Sequence, residues 1–268
     1  MDLVVMTPIM QDTDLESLRQ AHQLLESPSL TARIIGVLGT PIEQGLQYLP
    51  KRWGHAIGDA TRLALTKAAD AALFTLGDEP GKESANAWHK LGVAVTGGIG
   101  GFFGLAGLAV ELPISTTLIM RSIADIARSE GERLDDPDTR LACLEVFALG
   151  GKQKSDDATE SGYYTIRAVL AQAVSQAVEY ASGSVVLEKT APPALIRLIN
   201  LVAERFGLQV TEKAAAQAMP AIGAASGALI NVLFIDHFQY MARGHFIIRR
   251  LEATYGKEVV QRCYQAID

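Results

Sequence analysis

Apolar residues recur every three or four positions along most of this chain, and polar or proline-containing breaks divide them into helical blocks. Leu15, Leu18, Ala21, Leu24 and Leu25 share one face of Asp14–Glu26, which Pro28 ends. Residues 30–49 are mixed and broken by Gly36, Gly39 and Pro41. Trp53–Leu76 returns to helical spacing through Ile57, Ala60, Leu63, Ala64, Ala68 and Ala71, and a polar loop follows at Asp78–Ser84. From Ser84 a helix leads into a long apolar stretch, and Pro113 suits the first turn of a new helix that reaches Glu130 before Gly131. Asp136 is a cap with Pro137 at the first helical position, and Gly150-Gly151 is the stop. Tyr163–Leu187 is again helical. Pro192-Pro193 opens Ala194–Phe206 with Gly207 as its cap, and Thr211 caps a further run that Pro220 bends on its way to Tyr255. Gly256 separates a last short helix, Lys257–Ala266. Alternating strand patterns and Asn-Gly turns are missing from the sequence. The expected fold is an all-α helical bundle, one domain over residues 1–268, with an exposed polar loop at 152–162.

Two stretches carry no charge. Leu91–Val110 holds seven glycines in twenty residues, with Gly97/Gly101 and Gly100/Gly104 four apart. Ala214–Ile235, between Lys213 and Asp236, repeats that interval at Gly223/Gly227. Glycine is a poor helix former in water, and small residues four apart let helix axes approach closely. The expectation is that the two Gly/Ala-rich segments pack together as central helices, with Gly97, Gly101, Gly104, Gly223 and Gly227 at the contact. Each window is long enough to cross a bilayer, but Gly and Ala partition weakly and a proline interrupts or borders each, so burial in a bundle is preferred over spanning.

Composition narrows the classes. A net charge of −6 and a pI near 5.4 argue against nucleic acid as a partner. Cys143 and Cys263 belong to no CxxC pair and read as free thiols in a reducing compartment. The first residues show no basic n-region, apolar core and cleavage site, so the expected location is the cytoplasm, peripheral to or partly inserted in the inner face of the membrane.

Each window leads into polar residues. Glu111, Ser115, Thr116, Thr117, Arg121, Asp125 and Arg128 follow the first; Asn231 lies in the second, and Asp236, His237, Arg243, His245, Arg249, Arg250 and Glu252 follow it. One reading is ion pairs that orient helices. The sharper reading is a polar, ligand-binding pocket at the mouth of an apolar bundle, formed by Glu111, Ser115, Arg121, Asp125, Asn231, Asp236 and His237, with Glu111 and Asp236 as buried carboxylates. His237 and His245 sit about 80° apart around an ideal helix and do not chelate alone, so no metal site is expected. The sequence has no GxSxG, SxxK, HExxH or Walker A motif, so no catalytic residue and no cofactor is assigned.

The segment GGIGGFFGLAGLAVELPISTTLIMRSIADIARSEGE, the following TRLACLEVFALGG, and PAIGAASGALINVLFIDHFQYMARGHFIIRRLEATYG resemble the EcsC family. The resemblance implies a bacterial protein whose founding member is encoded beside a two-component ABC transporter linked to secretion of exported proteins. It supplies no catalytic residue. Two functions are therefore expected as alternatives. The first is a non-enzymatic, membrane-proximal protein that binds a lipid or hydrophobic ligand or partner, accessory to an ABC transporter or secretion. The second is a hydrolase with a polar centre at Glu111, Asp236 and His237.

Overall fold

The computed structural model describes residues 10–39, 45–47, 49, 53–75, 110–150, 162–182, 193–218 and 224–267. Among them every regular element is helical. The helices are α1 (Asp12–Leu25), α2 (Leu30–Leu38), α3 (Trp53–Thr75), α4 (described over 110–129), α5 (Pro137–Glu145) with a 3-10 turn at Val146–Ala148, α6 (Gly162–Ser182), α7 (Pro193–Ala218), α8 (Ala224–Tyr255) and α9 (Lys257–Gln265).

Local chemistry sets several boundaries. The Ser29 hydroxyl accepts from the Ala32 amide at the start of α2, and Gly39 ends that helix at φ +65°. Asp136 accepts from the Asp138 amide, with Pro137 opening α5. Gly131 after α4 and Gly256 between α8 and α9 hold φ of +93° and +86°, a region that favours glycine.

The core is one continuous apolar cluster running in sequence from Leu18 to Tyr264. Helices α7 and α8 are its hub: α1 and α9 pack on α8, α3 and α6 on α7, and α2 on both. Phe147, Phe206, Phe234 and Phe238 interlock at the centre, with ring centroids 5.0–6.0 Å apart. Helix α1 crosses α8 so closely at Gly244 that a Cβ there would stand 2.6 Å from Leu25 Cγ and 3.1 Å from the Ala21 carbonyl.

Two sequence expectations are corrected. Gly207 does not cap a helix and Thr211 does not start one; both lie inside α7, where the Thr211 hydroxyl donates to the Gly207 carbonyl at 2.7 Å. The buried series Leu198, Val202, Phe206, Gln209, Val210, Lys213 continues across the glycine, and that packing outweighs a penalty of about 1 kcal/mol for glycine in a helix. The stretch Ala214–Ile235 is also not one bent helix. Lys213 Nζ stands 4.6 Å from the Phe234 ring centroid, whereas twenty-one residues of continuous helix would separate them by about 32 Å. α7 and α8 therefore lie side by side rather than end to end.

Gly227 is buried in α8. Gly97, Gly101, Gly104 and Gly223 lie outside the described residues, as do the 152–161 part of the polar loop and the expected pairing of the two windows. No helix among the described residues is long and apolar enough to cross a membrane.

Candidate functional site

The sequence-derived polar residues divide into separate clusters. Glu111 (4% exposed) is enclosed by α4, α7 and α8. Lys213 Nζ donates to its Oε1 and Oε2 at 2.8 and 3.0 Å, and Asn231 Nδ2 donates to Oε1 at 3.0 Å. The Lys213 ammonium also faces the Phe234 ring. A buried charge needs such pairing, and here three helices supply it.

Asp236 and His237 belong elsewhere on α8. Relative to Asn231 they are turned by about 140° and 120°, in opposite senses, around an ideal helix. Asp236 faces Arg33 of α2 at 3.7 Å. His237 is buried beside Gln209, their Nε2 atoms 3.4 Å apart, while Gln209 donates to the Leu149 carbonyl at 2.7 Å. Burial, reinforced by the Arg33 charge, pushes the His237 imidazole down to about 4. Gly150 presses on this ring with φ +75°; a Cβ there would be 2.5 Å from His237 Cε1. Ser115 is buried and donates to the Leu112 carbonyl of its own helix at 3.2 Å. Asp125 pairs with Arg128, and Arg121 is exposed. The structure thus joins Glu111 to Asn231 and to Lys213, which in sequence marks only the edge of a window.

A second polar region lies where α5, α6, α8 and α9 meet around a cleft of about 660 Å³. One wall is the small apolar face of α6, formed by Ala168, Ala171, Val174 and Val178. The opposite side is charged. Arg167 is held bidentately by Glu252 at 2.7 and 2.9 Å. Arg249 is held by Glu132 at 2.6 Å and Asp138 at 2.8 Å. Between these pairs Glu145 lines the cleft, only 8% exposed, and no hydrogen-bond donor among the described residues reaches it. Burial pushes its carboxyl up to about 7, partly opposed by the charges of Arg167 and Arg249. Beneath the cleft, the Tyr163 hydroxyl meets His245 Nδ1 at 3.0 Å, and burial holds that imidazole well below its ordinary value.

The sequence reading passes over Glu145 and Arg167, and places Arg249 and Glu252 only among the polar residues that follow the second window. The available signal was Glu145 itself, the single charge in the apolar run Leu141–Leu149. Among the described residues, no group of three His, Cys, Asp or Glu side chains is placed to hold a metal. Cys143 and Cys263 are free thiols, and burial pushes Cys143 up to about 12, so it stays protonated.

A helical bundle with a buried ion pair at its hub and an amphipathic cleft on one side is the class of protein that these features define. The EcsC protein family matches residues 22–251, and the chain belongs to that family. Comparison with curated proteins and with solved structures finds no match.

Proposed function

We propose that this EcsC-family chain is a non-enzymatic binding protein that holds an amphipathic, lipid-like ligand close to a membrane surface. The observation that carries the reading is the cleft between α5, α6, α8 and α9. Its volume of about 660 Å³ lies within the range of small-molecule sites, and it sets an apolar wall against convergent charged groups. Most of those groups are held in ion pairs that orient rather than react, which suits binding better than turnover. Val110 and Ile114, one turn apart on α4 and 69% and 47% exposed, add an apolar edge that suits a membrane-proximal position. Such a position would also put the chain near the ABC transporter that the family resemblance suggests as a partner.

The test is native mass spectrometry and organic extraction of the full chain purified without detergent. An apolar or amphipathic species retained at defined stoichiometry is the expected result, reduced when Val174→Trp fills the α6 wall. A clean polypeptide that also ignores added detergent monomers and lipid vesicles would overturn the reading.

A further inference from the structure

Within the proposed amphipathic site, Glu145 is a buried carboxyl with no hydrogen-bond donor on it among the described residues, and the Tyr164 hydroxyl beside it also lacks a partner there. The two arginines beside it are already matched: Arg167 by both oxygens of Glu252, and Arg249 by Glu132 and Asp138. Neither is free to receive an anion. Glu145, by contrast, is buried and lines the cleft with no donor on it. A carboxyl placed in low dielectric without a protein donor is disfavoured unless water or a ligand in the cleft supplies one.

The balance of charge points the same way. Asp138, Glu145, Glu179 and Glu252 line the cleft against Arg167, Arg249 and Lys257, and Glu132 adds a fifth carboxylate through its bond to Arg249. The region is acidic by two charges when Glu145 is ionised. Next to this acid, Ala168, Ala171, Val174 and Val178 offer a strip of small side chains nearly three turns long. A flexible hydrocarbon chain fits along such a strip, and a bulky rigid ring system fits it less well.

We propose that the cleft binds a free alkylammonium amphiphile, its protonated amine against Glu145 and its hydrocarbon chain along Ala168–Val178 of α6. The inference rests on the reading of the cleft as an amphipathic ligand site and adds the sign of the head group. The charged groups facing Glu145 are Arg167, Arg249, Asp138 and Lys257. Binding therefore ionises Glu145 and releases its proton, and affinity for the amine rises with pH across that window.

The experiment is calorimetric titration of the full chain with octylamine, octanol and octanoate. At pH 8 the amine is expected to bind about tenfold more tightly than the alcohol. Octanoate should bind more weakly still. Heats measured in two buffers of different ionisation enthalpy should show proton release for the amine alone near pH 7. Glu145→Gln should abolish the preference for amine over alcohol, and Val174→Trp should weaken the binding of both. If Glu145→Gln fails to fold, the buffer comparison reads the same carboxyl in the unaltered chain. Octanol binding as tightly as octylamine, a preference for octanoate, or capture of amine-bearing vesicles without the free amine would overturn the cation assignment and leave the amphipathic site standing. Failure of all three compounds to bind would remove both.

Discussion

Lys213 and Glu111, 102 residues apart in the chain, form a hydrogen-bonded ion pair in the interior of the bundle, the lysine fully buried and the carboxylate 4% exposed. The pair ties the last turns of α7 to the beginning of described α4, and Asn231 extends it to α8. It therefore fixes three helices at the junctions where both uncharged windows meet polar sequence.

Because Lys213 and Glu111 neutralise each other's buried charge, removing one partner should cost far more than removing both. Lys213→Met or Glu111→Gln alone is expected to lose about 3–5 kcal/mol of stability in denaturant unfolding. The double variant Glu111→Gln/Lys213→Met should recover a clear part of that loss, since no uncompensated charge stays buried. Additive single losses would show that the pair does not act as a unit.

Gly150 is held at φ +75° against the His237 ring, so it is constrained by both conformation and space. Gly150→Ala should destabilise by roughly 2 kcal/mol or more, from left-handed strain together with a forced shift of His237 and Met241. Combining it with His237→Ala should lift the steric part and leave the conformational part. A Gly150→Ala protein that melts like the wild type would show that the loop end relaxes freely.

Two of the buried titrating groups, His237 and Glu145, have opposite effects on stability between pH 4 and 7. His237 falls to about 4 in the folded state, so the unfolded chain binds more protons and the stability that this histidine contributes is lost as pH falls. Glu145 rises to about 7, so the folded chain binds the extra proton and stability is lost as pH rises through 7. Glu145→Gln should therefore be more stable than wild type at pH 8, by up to about 3 kcal/mol. The advantage should vanish near pH 4. Thermal melts of the two proteins at matched pH give the difference directly; a constant gap at every pH would show that Glu145 does not titrate in this range.

Helix boundaries were legible wherever a single residue's backbone chemistry decides them. Asp136 and Pro137 start α5, and Gly131 and Gly256 end helices through positive φ, all as their positions in the sequence predict. The same reasoning failed at Gly207 and Thr211, because their neighbours Phe206, Gln209 and Val210 are buried on a continuous face of α7. Glycine's intrinsic cost is small, and core packing exceeds it.

The candidate site was legible in part. Glu111 and Asn231 were marked by their places at the edge of and within uncharged windows, and they do meet. Asp236 and His237 share that sequence context but point to other faces of α8, toward Arg33 and Gln209. Glu145 was visible as a lone acid in an apolar run, yet its setting depends on Arg167 and Arg249, which arrive from α6 and α8.

The sequence by itself determined the all-helical class, the helix ends at Gly131, Asp136 and Gly256, and the family, because these depend on periodicity, backbone conformation and local motif. Which charges are paired, and which acid is left facing a cleft, was decided only when α4, α5, α6, α7 and α8 packed together. Pairing depends on distance in space, and contacts more than a hundred residues apart, such as Glu111 with Lys213, leave no periodic trace in the chain.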